Sequence, residues 1–210
     1  MDDYDYKLEN FLLPKIKEIK NVTILELGVE TGRSTKKFLE LCNKNDGHLF
    51  SIDLDDCSQV SNNPRWKFMK TRDDNFEYIF PKIPKKLDVI FLDTLHEAKH
   101  VEKLFYKYYS LLKKDGFFFI DDISHLPYLK NKNRNSFYCE INNKETFDKI
   151  VEIYNSNTEL FDLNFSFKSS GLTIIQKKSN EPLKRHNKIQ SRSKSIKNFI
   201  RLLWKNLKKN

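Results

Sequence analysis

Three short apolar runs, each ending in a glycine turn or in carboxylates, constrain the fold of this chain more than any other feature. The first, Ile24-Leu-Glu-Leu27, breaks into Gly28-Val-Glu-Thr-Gly32. The second, Leu87-Asp-Val-Ile-Phe-Leu92, leads into Asp93, and the third, Phe117-Phe-Phe-Ile120, leads into Asp121 and Asp122. Runs that short and that predominantly apolar read as strands covered on both faces. Helical periodicity separates them. Ser34–Cys42 offers Phe38, Leu39 and Leu41, and Glu97–Leu112 places Val101, Leu104, Phe105, Tyr108, Leu111 and Leu112 at i, i+3, i+4 spacing before Asp115-Gly116. His48–Ile52 and Trp66–Lys70 add strands, Lys144–Tyr154 adds a helix, and Phe161–Phe167 with Leu172–Gln176 reads as a closing hairpin around Ser169-Ser-Gly171. Tyr6–Ile19 reads as helical turns broken at Pro14. This alternation predicts an α/β fold: a doubly wound, Rossmann-like, mostly parallel seven-stranded sheet with a C-terminal antiparallel hairpin.

Charge matters here by location. The chain carries a formal +9, but Pro182–Asn210 holds seven Lys, three Arg and no acid, a local +10, so the rest sums to 9 − 10 = −1. A basic tail on a near-neutral domain argues against a phosphate-binding groove across the fold, and nucleic acid is not the expected partner. The expected division is a domain over 1–178 and a basic tail over 179–210. Within the tail, Ile196, Phe199, Ile200, Leu203 and Leu207 follow helical spacing beside Trp204, with Lys197, Arg201, Lys205 and Lys208 mostly elsewhere. Residues 195–209 therefore read as an amphipathic helix suited to peripheral contact with a membrane inner face, with docking on the domain or a partner and RNA binding as alternatives. Cys42, Cys57 and Cys139 form no C-x-x-C spacing, Met1-Asp-Asp-Tyr-Asp5 is acidic where a secretory signal is basic, and no apolar run approaches the ~20 residues that cross a bilayer. A cytoplasmic setting is the expectation.

The glycine turn, Glu26-x-Gly28-x-x-x-Gly32, stands where a cofactor turn belongs, after a strand and before a helix that opens at Ser34. Gly28 and Gly32 allow close backbone approach and unusual φ angles. Glu26 suits an amino-acid-bearing cofactor better than a pyrophosphate, which it would repel. Asp53 ends the second strand, where a carboxylate can accept ribose hydroxyls, and Asp73 or Asp74 could accept from an adenine amine. The plainer alternative is a tight βα turn with Asp53 as a cap. Taken together, Glu26–Thr35, Ser51-Ile-Asp53 and Leu87–Asp93 resemble the class I S-adenosylmethionine-dependent methyltransferases from about Val22 to Asp122. The resemblance implies a cofactor with its carboxypropyl end at Gly28–Gly32 and its ribose on Asp53.

Asp93, Asp121 and Asp122 end neighbouring predicted strands, so their oxygens could converge on a hard ion such as Mg²⁺, with Asp93 also bordering the cofactor. His96, three residues on, is placed to take a proton from a substrate hydroxyl. Asp93-x-x-His96 with Asp121-Asp122 is similar to the metal-dependent O-methyltransferases of macrolide-sugar type, which implies magnesium on the aspartates and His96 as general base. Those relatives often read Asp-Gly-Asp-His followed by Ser/Thr-Tyr, whereas here it is Asp93-Thr-Leu-His96-Glu-Ala. His48, His100 and His125 are weaker candidates. Leu126–Glu140, with Tyr128, Arg134, Phe137 and Tyr138, reads as a loop over the site suited to a glycosyl acceptor. The expected function is Mg²⁺-assisted O-methylation, from S-adenosylmethionine, of a hydroxyl on a sugar or other glycosylated small molecule. Its alternatives are a metal-free methyltransferase on another small molecule or nucleic acid, and a non-catalytic cofactor-binding scaffold.

Overall fold

The computed structural model describes residues 3–125, 137–188 and 195–207. Helix α1 (Asp3–Lys7) runs through a π-helical turn (Leu8–Leu12) into α2 (Leu13–Ile16). Pro14 does not break this segment as its sequence suggests. It sits in the first turn of α2, where its missing N–H costs little, and the preceding turn widens so that Leu13 N–H reaches Leu8 O. There follow β1 (Thr23–Leu27), α3 (Arg33–Asn45), β2 (His48–Asp53), β3 (Trp66–Lys70), α4 (Phe76–Ile79), β4 (Leu87–Leu92), α5 (Ala98–Tyr108), β5 (Leu112–Asp121), α6 (Phe137–Asn155), β6 (Phe161–Ser166), β7 (Leu172–Lys177) and α7 (Ile196–Leu207).

The strands form one seven-stranded sheet in the order β3-β2-β1-β4-β5-β7-β6. The first five are parallel, and β7 runs antiparallel to both β5 and β6. Strand order reverses between β1 and β4, which opens a crevice beyond their carboxyl ends, the place where such sheets bind ligands. The fold class expected from the apolar runs is the one observed. Strand β5 begins earlier than its Phe-Phe-Phe run suggests, because a register shift opposite Leu87–Val89 and a left-handed Asp115 (φ 65°) let polar Lys113–Asp115 bulge out of the ladder without ending the strand.

Alternation along each strand sorts the core into two faces. Ile24, Leu49, Val89, Phe91 and Phe119 pack with Leu8, Leu12, Ile16, Phe38 and Cys42, so the N-terminal segment and α3 cover one face. Leu25, Leu27, Ile52, Ile90, Leu92, Phe118 and Ile120 pack with Ile79, Val101, Leu104, Phe105, Ile150 and Ile153, from α4, α5 and α6, on the other. Each such side chain is worth about 1.5–3 kcal/mol on burial, which is enough to pin the parity of every strand. That parity decides where the acids at the strand ends point.

Beyond β7 the chain returns over the helical layer. Leu183 packs on the core, Asn157 exchanges hydrogen bonds with the Lys184 backbone (2.7 and 3.1 Å), and His186 Nε2 lies 2.8 Å from Glu102 Oε1. Helix α7 presents Ile196, Phe199 and Ile200 to solvent. Among the described residues no helix is long and apolar enough to cross a membrane.

Candidate active site

Two adjoining cavities of about 330 and 310 Å³ occupy the crevice and share Gly28, Val29, Glu30 and Asp93 as a common wall. The first extends to Asp53, Asp73, Thr94 and His100, the second to Tyr4, Arg33, Ser34 and His96. Their common wall exists because the ends of β1 and β4 nearly touch. Gly28 has φ 97°, and a Cβ there would stand 1.9 Å from the Asp93 carbonyl oxygen. Gly32 (φ 77°) turns the chain into α3, with Val60 packed where its Cβ would be.

Asp53 buttresses this turn. Its Oδ2 accepts from Val29 N–H (2.8 Å) and Glu30 N–H (3.1 Å), and its Oδ1 accepts from Asp55 N–H (2.9 Å). Burial alone would raise this carboxyl, but those backbone donors outweigh it and hold Asp53 below the usual carboxylate range. An ionised acid is thereby kept at the rim of the first cavity.

Glu26 is placed differently from the expected cofactor contact. It shares the parity of Ile24, so it faces α3 and is fully buried, accepting from Ser34 Oγ (2.6 Å), Thr35 Oγ1 (2.8 Å) and Ser51 Oγ (2.6 Å). It lines neither cavity and instead staples β1, β2 and α3 behind the glycine turn. Ser34 reaches the second cavity but spends its hydroxyl proton on Glu26. Burial pushes the Glu26 carboxyl up to about 7, with the three hydroxyls pulling it partly back. A carboxyl raised in the folded state stabilises fully below its unfolded value near 4.5, and that contribution is lost as pH rises through about 7. Glu26→Gln should therefore flatten the fall in stability between pH 4.5 and 7, by an amount on the order of 3 kcal/mol. Urea midpoints across that range check it; parallel curves for the two proteins would refute it.

Asp73 lines the first cavity, but its carboxylate is already engaged, accepting from Thr94 Oγ1 (2.6 Å) and facing His100 Nε2 (2.9 Å). Asp74 is held by Arg72 and Lys103, which keep it well below the usual carboxylate range. His100 thus orients an acid of the first cavity. His125 belongs to an aromatic cluster with Phe147 and Phe167, and His48 is exposed. Of the loop expected over the site, residues 126–136 lie outside the described residues.

The remaining acids meet at the carboxyl edge, with partners the sequence did not announce. His96 Nε2 lies 3.6 Å from Asp93 Oδ1 and 3.3 Å from Asp122 Oδ2, while its Nδ1 is buried and finds no partner among the described residues. Asp122 has φ 56°, a strained turn for a non-glycine residue, which directs its carboxylate to His96. Asp121 keeps the parity of Phe119 and faces the N-terminal segment, where the buried Lys7 ammonium donates to its Oδ1 and to Ser170 Oγ (2.8 Å). From the same helix, the Tyr4 hydroxyl donates to Asp93 Oδ2 (2.9 Å). Burial, then the charge of Asp122, raises the Asp93 carboxyl to about 6. Burial and the charge of Asp93 raise Asp121 against the pull of Lys7. Burial and both acids also keep the Tyr4 hydroxyl protonated. The expected magnesium trio is therefore divided: Asp121 pairs with Lys7, and Asp93 and Asp122 flank His96. Among the described residues no group of three His, Cys, Asp or Glu side chains is placed to hold a metal ion. Lys7 and Tyr4 carried no sequence signal that separates them from surface residues of an amphipathic helix.

A parallel sheet reversing between β1 and β4, a glycine turn after β1, an acid after β2 and an antiparallel β7 beside β5 define a class I methyltransferase fold. Residues 25–123 match the family model described as a methyltransferase domain. No curated protein matches the sequence. Solved structures do. A Staphylococcus aureus protein provisionally assigned as a caffeoyl-CoA O-methyltransferase is 21% identical, with TM-score 0.61 and 84% of each chain covered. The Podospora anserina methyltransferase PaMTH1, bound to S-adenosylhomocysteine, is 15% identical, with TM-score 0.61 over 84% of this chain and 86% of that one. MycE of the mycinamycin biosynthetic pathway, in complex with Mg and S-adenosylhomocysteine, is 16% identical, with TM-score 0.60 over 86% of this chain but 56% of its own. At such identities the likeness is one of fold.

Proposed function

We propose that the protein methylates a hydroxyl of a small polyhydroxylated acceptor, a sugar or glycosylated compound, with His96 as the general base. The observation that carries this reading is the setting of His96 on the wall of the second cavity, its Nε2 3.6 Å from Asp93 Oδ1 and 3.3 Å from Asp122 Oδ2. An acceptor hydroxyl in that cavity would lose its proton to the His96 imidazole as its C–O bond forms and the methyl's C–S bond breaks, the sulfur leaving as a neutral thioether, and Asp93 and Asp122 would stabilise the imidazolium that results. S-adenosylmethionine, when bound, supplies the electrophilic methyl on a sulfonium. Asp53 would accept from its ribose hydroxyls, and the Gly28–Gly32 turn with Arg33 would hold its amino-acid end. Tyr4, Thr31, Arg33 and Ser34 give the second cavity hydrogen-bonding walls that suit hydroxyls better than an apolar ring. The Asp93-x-x-His96 spacing, similar to that of macrolide-sugar enzymes, supports the sugar class.

Magnesium, which that similarity also implies, has suitable oxygen donors in Asp93, Asp121 and Asp122. As placed they do not fit it, because Asp121 is bonded to an ammonium and Asp93 to a phenol. No step of the transfer runs through a metal. Incubation with methyl-labelled S-adenosylmethionine and separate pools of glycosides, catechols and RNA tests the acceptor class; label in catechols or RNA but not glycosides would sink it. In the same assay Asp53→Ala should weaken cofactor binding by roughly ten- to a hundred-fold, since hydrogen bonds to a charged group are worth about 1.5–3 kcal/mol. Titration calorimetry reads that directly, and unchanged affinity would remove Asp53 from the cofactor site.

A further inference from the structure

We infer that Lys7 is the built-in cation of this carboxylate edge: its ammonium, clamped between Asp121 and Ser170, stands in place of a divalent ion and leaves the enzyme independent of added metal. The inference deepens the proposed function and rests on it for the location of the reaction.

Burial makes the first case. The Lys7 side chain is 0% exposed and that of Asp121 2%. A buried ammonium persists only when it is paired and hydrogen-bonded, since leaving water costs several kcal/mol per ion. Lys7 meets those conditions, with Asp121 Oδ1, Ser170 Oγ at 2.8 Å and the face of the Tyr4 ring at 5.0 Å around it. Its helix is anchored by Leu8, Leu12 and Ile16, all buried against Phe91 and Phe119. The position is thus fixed by the core and not by the flexibility of a long side chain.

Geometry makes the second. Asp121 and Asp122 are adjacent in sequence but are sent apart, Asp121 by strand parity toward Lys7 and Asp122 by its left-handed backbone toward His96. Tyr4, one helical turn before Lys7, satisfies Asp93 from the same side. One turn of α1 therefore supplies donors to two of the three carboxylates that a metal would need. A hard divalent ion needs several free oxygens around it and would be repelled by an ammonium on the same carboxylate. Lys7 touches neither cavity, so it is a positioning residue: it fixes Asp121, the end of β5 and the β6–β7 turn that carries Ser170.

The test uses the full chain, stripped with chelator and dialysed, and Mn²⁺ as the probe, followed by electron paramagnetic resonance and thermal unfolding. Wild type should show no saturable Mn²⁺ site, the same Tm with and without chelator, and labelled methyl transfer that survives EDTA. Lys7→Ala frees Asp121 and should gain a saturable site, at least about ten-fold tighter than any in wild type, with a Tm raised by Mn²⁺. Lys7→Ala/Asp121→Ala should lose that gain, and the near-isosteric Lys7→Met serves if Lys7→Ala does not fold. Tight Mn²⁺ binding by wild type, or transfer lost in EDTA and restored by Mg²⁺, overturns the inference. So does a folded Lys7→Ala or Lys7→Met that gains no site. If wild type binds no S-adenosylmethionine by calorimetry, the proposed function fails instead, whatever the Mn²⁺ result.

Discussion

Replacing His96 with Gln should lower kcat by about 10²–10⁴, the range a positioned general base contributes, while S-adenosylmethionine binds as tightly as before. The side chain is 27% exposed and sits in the turn before α5, outside both apolar clusters, so its loss should leave folding stability within about 0.5 kcal/mol. Gln has no basic nitrogen to accept and hold the proton, and this isolates the chemical step. Labelled methyl transfer read beside calorimetric cofactor affinity separates the two effects. A rate within ten-fold of wild type would remove His96 from the mechanism. The same site carries a pH signature. Asp93, raised to about 6 by burial and then by Asp122, must ionise to orient the imidazole, so kcat should fall as pH drops through 6. Asp122→Asn removes one of those causes and should move that acid limb to lower pH, alongside any loss of rate.

Gly28→Ala should destabilise the fold by more than about 3 kcal/mol, at the severe end for a single methyl group. Two penalties coincide: the φ of 97° is one that L side chains rarely adopt, and the new Cβ would sit 1.9 Å from the Asp93 carbonyl oxygen. That oxygen is backbone at the end of β4, whose own N–H is bonded to Leu27 O at 2.8 Å, so relief requires prising β1 from β4. Gly32→Ala is the informative control. Its φ of 77° is also unfavourable, but the obstruction is Val60 Cγ1 at 2.1 Å, the end of a side chain that can turn away. Gly32→Ala should therefore cost clearly less, about 1–2 kcal/mol. Urea unfolding of both variants decides the matter; equal losses would mean that backbone conformation, not the approach of β4, sets the cost.

Periodicity and turn chemistry carried most of the architecture. The apolar runs, the helical stripes between them and the Ser169–Gly171 turn each depend on a few neighbouring residues, and each appears where its spacing places it. Boundaries moved where polar residues continued an element, as with Lys113–Asp115 in β5 and the first half of α6. The glycine turn and Asp53 were also legible, because a βα turn and the acid that ends the next strand are local features. Glu26, Asp73 and the Asp121-Asp122 pair were identified as edge residues, but what each one touches was not legible. Glu26 turned inward to three hydroxyls and Asp73 to His100.

The amino-acid sequence by itself determined which segments become strands and helices, since that choice rests on short-range periodicity, turn residues and the need to cover apolar faces. Tertiary structure alone decided that Tyr4 and Lys7 meet acids 89 and 114 residues away. Those meetings depend on strand order, on the parity with which β5 enters its ladder, and on which helix covers that face. All three are set by burying the whole core at once, so no local window of the sequence contains them.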